Sequence, residues 1–539
     1  MRKTITTIFC LLSLFTTICI AQQEPLANEN KDGLYAKSIE QVLRLEPEQI
    51  DIGTAALIVS EQWSDMVGGR RYQQMLDDMA MEIRSRLKTK GLKANQQAIP
   101  VINEYLFEEL GFKSVKEADD PNDLFLHCVL DKKQGYCLSL SILYLAIGER
   151  LGISLYGVVV PGHFFVRYDD GNVRFNIETT SSGGTATDEH YIKKFKVSQS
   201  RDGNIYMTNL NPLQALGCFF NNLGNSYLAV NNDKQALASF VKAVQINPAL
   251  AEARANLGNM YLKQGHTDEA INEYRLALKL SPEDAKVFNN LGNAYAQKEQ
   301  IDQAITQYNH SIKLDPNLAD SYRNLSIMYS RKKLFERSLV NIDKAISLEP
   351  KNHDLYLQKG EIYRETKECE KAIIEFKKAV DLKPDFAEAF YRIGLCCKDT
   401  GLFEEETAAY KKAIFLKPDF LPAINALGNA YFNKKMFDEA IEQYKLAAKM
   451  EPREATVHYN IGAAYSNKQE HEKAVEAYLK AVELNPSMGD AHYGLAYSYY
   501  NLKDYKSALK HLQISEKLGV QIDQQLLSAV EEMLKQTKE

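Results

Sequence analysis

Three side chains in the first half of this 539-residue chain have the types and the order that thiol chemistry requires. Cys137 begins a predicted helix, where free backbone N–H groups and the helix dipole favour a thiolate. His163 lies on the next predicted strand and could take the thiol proton, and Glu178 on the strand after it could orient the imidazole. This arrangement predicts acyl transfer or amide hydrolysis through a thioester, with no cofactor.

The elements that must position these side chains follow from the apolar pattern. Apolar residues mark one face of a helix that starts at Cys137. Residues 157–168 and 173–179 have the composition of strands, and Gly171 in the segment DDGN fits a hairpin between them. We therefore predict a mixed α+β domain over residues 40–208.

The motifs around the three residues resemble those of the transglutaminase-like branch of the papain fold. They are GYC at the start of the helix, GHFFVRY on the histidine strand and NIETT on the acid strand. The resemblance implies that Cys137 is the nucleophile, that His163 is the base and then the acid, and that Glu178 orients the histidine. That family usually has Asp where this chain has Glu178, so Asn176 on the same face of the strand is an alternative partner for His163.

Two interpretations of these residues stay open at this point. In the first, Cys137 and His163 form an active thiol site. In the second, Cys137 is a buried residue at a helix start and His163 is a hydrogen-bonding residue that stabilises the fold. In the short bacterial branch of the family, which the segments INEYLFEELGF and PGHFFVRY resemble most, the nucleophile is often missing, whereas this chain retains Cys137.

The second half of the chain is a repeat with a period of 34 residues. The period is marked by eight prolines without an insertion: Pro248, Pro282, Pro316, Pro350, Pro384, Pro418, Pro452 and Pro486. When this proline is numbered 32, nine copies cover residues 217–520, with Gly at position 8 in seven copies, Ala at position 20 in seven and Tyr at position 11 in eight. A spacing this regular indicates one copied structural unit.

The repeat pattern resembles that of the tetratricopeptide repeat (TPR) family. Positions 4, 7, 8 and 11 share one face of a helix, and the proline at 32 ends the second helix of each copy. One helix pair cannot bury its apolar face alone, so nine copies predict an all-α superhelical solenoid. Residues 521–539 are amphipathic and are predicted to form its C-terminal capping helix. The predicted fold is therefore α-rich and in two parts, a transglutaminase-like domain followed by the solenoid.

The face opposite the apolar stripe carries a row of asparagines at position 6 of the repeat. The predicted peptide-binding residues are Asn222, Asn256, Asn290, Asn324 and, after three departures from the pattern, Asn460. An amide can donate to and accept from an extended peptide backbone. The row is similar to the asparagine ladder in the repeat region of O-linked N-acetylglucosamine transferases, although no catalytic domain of that type follows here. A solvated helix face is the alternative.

The first 21 residues predict export. Arg2 and Lys3 precede an apolar stretch from Ile5 to Ile20, and the pattern is that of a secretory signal peptide cleaved before Gln22. A retained N-terminal anchor is the alternative, and no later segment is apolar for long enough to span a bilayer. We therefore expect a periplasmic or secreted protein, with residues 22–39 as a linker.

Charge and cysteine usage exclude other classes of function. The formal net charge is only −6, with no dense Lys/Arg run that would indicate nucleic-acid binding. No cysteine or histidine spacing predicts a metal site. The leading hypothesis is an exported scaffold that captures a protein or peptide. The alternative is a thiol enzyme, an acyltransferase, amide hydrolase or protease-like enzyme, whose repeats recruit the substrate.

Overall fold

The computed structural model describes residues 26–64, 67–115, 120–197 and 205–536. The chain divides into two compact units, the first ending at Pro316 and the second beginning at Asn317. The predicted signal peptide lies outside the described residues. Within the predicted linker, the side chain of Leu26 is buried and Asn28 donates a hydrogen bond to Asp51 at 2.9 Å. This segment therefore packs against the N-terminal domain from Leu26 onward.

Seven helices lie in the described residues before the repeats. They are α1 (Ile39–Val42), α2 (Ile52–Trp63), α3 (Gly69–Lys90), α4 (Ala98–Asn103), α5 (Leu126–Lys132), α6 (Cys137–Leu151) and α7 (Asp188–Lys194). Helix α6 ends at Gly152, which has a φ of 71° and closes the helix in the left-handed conformation. It is the central helix of the domain, because nearly all of its side chains are buried against α2, α3 and the sheet.

The sheet is an antiparallel meander of four strands in the order β3-β4-β5-β6. The strands are β1 (Lys113–Ser114), β2 (Gln134–Gly135), β3 (Leu155–Val160), β4 (His163–Asp169), β5 (Arg174–Glu178) and β6 (Gly184–Ala186), with β1 and β2 forming a separate parallel pair. Residues 157–168, predicted as one strand, contain a tight turn at Pro161 and Gly162. Proline fixes its own φ and Gly162 has a φ of 70°, which together reverse the chain.

The described repeat region contains nine helix pairs and a final helix. The pairs are α8 (Pro212–Ala229) with α9 (Asp233–Ile246), α10 (Ala251–Lys263) with α11 (Thr267–Leu280), α12 (Ala285–Gln297) with α13 (Ile301–Leu314), α14 (Ala319–Arg331) with α15 (Phe335–Leu348), α16 (His353–Glu365) with α17 (Cys369–Leu382), α18 (Ala387–Thr400) with α19 (Phe403–Leu416), α20 (Leu421–Asn433) with α21 (Phe437–Met450), α22 (Ala455–Asn467) with α23 (His471–Leu484), and α24 (Gly489–Asn501) with α25 (Tyr505–Lys517), followed by α26 (Gln524–Gln536). This confirms the predicted α-rich, two-part fold.

The ring at position 24, and not the tyrosine at position 11, fills the space beside the glycine at position 8. A Cβ atom built on Gly258 would lie 2.7 Å from the ring of Tyr274, and Gly292 has the same relation to Tyr308. The position-24 rings are fully buried, whereas most position-11 tyrosines are only half-buried. The small residue at 8 is therefore required by an aromatic side chain 16 residues later.

The first repeat shares its hydrophobic core with the N-terminal domain. One continuous cluster of buried side chains runs from Leu26 to Ala253 and includes Phe219 on α8. Helix α8 begins at Pro212, before the predicted start of the repeat, because Asn211 and Gln214 cap it reciprocally. The outer edge of β3 is also paired with this connection, since Leu210 N donates to Gly157 O at 2.9 Å. The domain and the first repeat therefore fold as one body.

Candidate active site in an asparagine-lined cleft

Cys137 is the first residue of α6, and its position is fixed by the hydrogen bonds that start the helix. The backbone N–H of Tyr136 donates to Ser139 Oγ at 2.8 Å, and this hydroxyl donates to the carbonyl of Asp123 at 2.7 Å. The Cys137 thiol is free and half-buried. Its side chain therefore extends from the end of the helix where backbone N–H groups are unpaired.

His163, the first residue of β4, lies between this thiol and the acid. Its Nε2 is 2.8 Å from Glu178 Oε2, and Phe195 stacks on the ring with parallel planes and centroids 5.0 Å apart. Burial alone would lower the pKa of His163, but hydrogen bonds to Cys137 and Glu178, together with their charges, raise it to about 9. The protonated imidazole is therefore favoured, and it lies beside both the thiol and the carboxylate.

Glu178 is held by three donors besides His163. Its Oε2 accepts a hydrogen bond from the Tyr191 hydroxyl at 3.0 Å, and its Oε1 accepts from Thr180 Oγ1 at 2.5 Å and from Thr180 N at 3.2 Å. Burial alone would raise the pKa of Glu178, but the hydrogen bond and charge of His163, with the Thr180 bonds, lower it to about 2. The carboxylate is therefore charged and fixed, and the additional methylene relative to Asp is accommodated.

The alternative partner, Asn176, is engaged elsewhere. Its Oδ1 accepts from Arg167 Nε at 2.8 Å, and its Nδ2 donates to Asp188 at 2.7 Å and to the carbonyl of Ala186 at 3.1 Å. Glu178 is therefore the acid that contacts His163. Three residues of the site were not predicted from the sequence: Tyr191, Thr180 and Phe195. Of these, only Thr180 lies in a motif that could have indicated it, NIETT.

A second cysteine–histidine pair lies outside this arrangement. Cys128 Sγ is 3.1 Å from His127 Nε2, and both side chains are half-buried on α5. Burial raises the pKa of the Cys128 thiol and lowers the pKa of His127, so the neutral forms are favoured. Cys128 is therefore an internal reference, a thiol beside a histidine whose neutral form is favoured.

The predicted thiol site and the predicted peptide-binding row line the same cleft within the first unit. The cleft has a volume of about 680 Å³. One wall carries Cys137 and His163 with the apolar residues Leu138, Val159, Pro161 and Phe164. The other wall is formed by the first helices of repeats one to three and carries Asn221, Asn222, Asn225, Asn256, Asn259 and Asn290. A ligand that hydrogen-bonds the amides would therefore lie beside the thiol.

The structure brings three of the five predicted peptide-binding residues into this cleft: Asn222, Asn256 and Asn290. The other two belong to the second unit, where Asn324 on α14 is 9% exposed and Asn460 on α22 is half-buried. Asn324 is therefore less exposed than expected from the sequence, which predicted a row of asparagines on an open helix face. Position 6 of the repeat therefore does not have one environment along the chain.

The cleft amides also hold neighbouring repeats together. Asn256 Nδ2 donates to Asn221 Oδ1 and Asn290 Nδ2 donates to Asn259 Oδ1, each at 2.9 Å and each between adjacent repeats. The Asn222 amide instead donates to the carbonyl of Cys218 in its own helix at 3.1 Å. A primary amide has two donors and two acceptor sites, so each of these side chains retains capacity for a ligand.

Position 9 of the repeat has a structural role that the sequence analysis did not assign. The tyrosine hydroxyl at position 24 donates to the Asn side chain at position 9 in the pairs Tyr274–Asn259 and Tyr308–Asn293, both at 2.8 Å, and Tyr444–Asn429 at 2.7 Å. The buried ring thereby satisfies its hydroxyl group. These asparagines are required for packing within each helix pair.

Two features are absent from the part of the chain that the structure describes. No group of three or more His, Cys, Asp or Glu side chains in these residues is placed to hold a metal ion. Among the described helices, none has the length and apolarity that crossing a bilayer demands.

Family comparisons match both parts of the chain. Residues 70–216 match the family described as "Transglutaminase-like superfamily". Matches to "TPR repeat" cover 224–265, 258–298, 292–333, 360–401 and 428–469. Matches to "Tetratricopeptide repeat" cover 387–420, 455–488 and 490–514.

Curated relatives and solved structures match parts of the chain. A "UPF0162 protein" of Xylella fastidiosa is 32% identical over 123 residues, 22% of this chain and 43% of the relative, so the chain spans less than half of that relative. "F-box only protein 21" of Mus musculus is 32% identical over 81 residues, 15% of this chain and 13% of the relative. MamA of Desulfovibrio magneticus RS-1 aligns with a TM-score of 0.30 at 23% identity, over 31% of this chain and 94% of MamA. Pseudomonas aeruginosa pilF aligns with a TM-score of 0.35 at 20% identity, over 39% of this chain and 96% of that structure.

Proposed function

We propose that this chain, a transglutaminase-like domain followed by TPR repeats, is an interaction scaffold that captures an extended protein segment in the cleft of its first unit. The observation that carries the proposal is the shared cleft, which amides of three successive repeats line together with Cys137 and His163. Amides at a regular spacing suit the alternating donors and acceptors of a peptide backbone. The partner is accordingly a protein or peptide, bound mainly through its main chain.

The affinity of such a segment depends on few hydrogen bonds. Each contributes about 0.5–1.5 kcal/mol net, which offsets only part of the cost of ordering a peptide. The apolar residues opposite the amides provide additional contact area for side chains of the segment. We therefore expect moderate affinity and a preference for extended segments with apolar side chains.

The capture proposal is tested with Asn222→Ala, whose present hydrogen bond stays within its own helix. Binding of a peptide array to the purified protein should fall about twofold to tenfold in the single variant and further in the variant that also carries Asn256→Ala and Asn290→Ala. Asn309→Ala is the matched control, because that exposed amide also bonds only its own helix. Equal binding by the wild type and the triple variant would reject the proposal.

A second candidate function is acyl transfer or amide hydrolysis at Cys137. It is favoured by the contact of His163 with both the thiol and the fixed Glu178 carboxylate. The thiolate would attack the carbonyl carbon of an amide, the C–N bond would break, and the leaving amine would take the proton of His163. Water or a second amine would then attack the thioester, with His163 accepting its proton and the Cys137 thiolate leaving.

The thiol proposal is tested by the rate of alkylation with iodoacetamide at neutral pH, resolved by mass spectrometry for each cysteine. Cys137 should react faster than Cys128, and His163→Ala should remove the difference. Cys218, at 3% exposure, should stay protected and report that the core is folded. If Cys137 reacts at the same rate as Cys128, and His163→Ala does not change that rate, the enzyme hypothesis is excluded and the scaffold hypothesis remains.

We also propose that the protein is exported to the periplasm or secreted, from the N-terminal sequence pattern. N-terminal sequencing of the protein from its host should then begin at Gln22. A chain that retains Met1 and stays with the membrane fraction would instead support the N-terminal anchor.

A further inference from the structure

The turn that carries His163 is short and conformationally demanding. Only Pro161 and Gly162 join β3 to β4, and Val160 pairs directly with His163. Proline followed by a left-handed glycine is the pattern of a type II turn. Such a turn matches the twist of a two-residue hairpin less well than the mirror-image types do. A contact that holds the tip of this turn therefore helps to fix the position of His163.

That contact comes from the second repeat. Glu252, the second residue of α10, accepts a hydrogen bond at Oε1 from the backbone N–H of Gly162 at 2.7 Å. The two residues are 90 positions apart in the chain. Gly162 directly precedes His163, so the repeat holds the turn one residue before the histidine.

We propose that Glu252 is a positioning residue that keeps His163 in register with Cys137. The inference rests on the proposed thiol chemistry and assigns the second repeat to the reactive site as well as to the binding surface. Glu252 touches neither thiol nor substrate in this role. It acts through the turn, in the way that an outer hydrogen bond orients a catalytic side chain.

Helix α10 carries this contact and also lines the cleft. Glu252 and Asn256 are one turn apart on α10 and both line the cleft. A segment that hydrogen-bonds Asn256 therefore lies beside the carboxylate that holds the turn.

The test compares three variants of the full chain by iodoacetamide alkylation of Cys137 at neutral pH. Glu252→Ala removes the acceptor and should slow the reaction about twofold to tenfold, the fold-change expected for one hydrogen bond. Glu252→Gln retains an acceptor oxygen and should restore most of the rate. Glu269→Ala, an exposed carboxylate on α11, is the control for a general change of charge. Cys128 should react at one rate in all of them.

A second measurement tests the hydrogen bond between Glu252 and Gly162 without relying on the thiol. Amide hydrogen exchange at Gly162 and His163 should accelerate in Glu252→Ala and stay close to the wild type in Glu252→Gln. The positioning role alone would be overturned if Glu252→Ala changed neither the amide exchange nor the alkylation rate of Cys137, while that rate still depended on His163. A wild-type Cys137 that reacts no faster than Cys128 would reject the thiol chemistry and this role with it.

Discussion

Replacing Glu178 by Gln should lower the pKa of His163 and thereby reduce the protonated fraction of the imidazole near pH 8. The wild-type pKa of about 9 lies above the ordinary 6.5 because Cys137 and Glu178 both hydrogen-bond the imidazole. This net difference corresponds to about 3 kcal/mol in favour of the protonated form, after the opposing effect of burial. Loss of the negative charge of Glu178 should remove at least about one pKa unit of it.

The change is large enough to measure directly. At pH 8, the protonated fraction of His163 should fall from about nine-tenths in the wild type to about half or less in Glu178→Gln. An NMR titration of protein carrying ¹³C-labelled histidine measures this pKa, with His163→Ala identifying the signal among the ten histidines. Glu189→Gln, an exposed acid on α7, is the matched control and should leave the titration unchanged.

The free energy of unfolding should depend on pH through the pKa shifts of His163 and Glu178. The raised pKa of His163 stabilises the folded state below pH 6.5, and this contribution is lost as the pH rises through about 9. The lowered pKa of Glu178 stabilises it above pH 4.5, and that contribution is lost as the pH falls through about 2. Glu178→Gln should therefore reduce the free energy of unfolding most between pH 4.5 and 6.5, as measured by urea unfolding. A wild-type His163 that titrates near 6.5, or the same titration in Glu178→Gln, would refute the reasoning.

Two further predictions concern the fold. A chain that ends at Thr208 should lack a cooperative thermal transition by circular dichroism, because the core continues into the first repeat. A chain that ends at Pro316 should melt cooperatively. A stable domain ending at Thr208 would contradict the shared core. Gly258→Ala should lower the free energy of unfolding by about 1–3 kcal/mol, since the new Cβ would lie 2.7 Å from the Tyr274 ring. Gly265→Ala, which meets no atom within 4 Å, should cost about 1 kcal/mol through its φ of 82° alone; equal losses in urea unfolding would argue against ring packing as the cause.

The repeat architecture could be predicted because its determinants are local and periodic. The prolines at position 32 and the small residues at positions 8 and 20 recur every 34 residues, and each repeat folds against its nearest neighbours. The pattern did not reveal position 15, where every repeat has a positive φ although only Gly265 and Gly401 are glycines there. Tertiary packing imposes that conformation on residues such as Lys333 and Asn231, whose residue types do not predict it.

The candidate site could be predicted in its residue types and not in its surroundings. Cys137, His163 and Glu178 lie on neighbouring elements, helix α6 and strands β4 and β5, so their order and motifs indicated that they would meet. Tyr191 and Phe195 complete the site from a later helix that carries no recognised motif. The Asn176 alternative was decided only by its contacts with Arg167 and Asp188, which no strand pattern specifies.

The sequence by itself determined two features, a thiol arrangement on a mixed domain and a nine-copy helical solenoid, because both follow from residues close together in the chain. Only the tertiary structure decided that they share one cleft. The hydrogen bond from Gly162 to Glu252 and the wall that faces Asn256 join segments about 90 residues apart. Such contacts depend on how the first repeat packs into the core of the domain, and this packing has no periodic signature in the sequence.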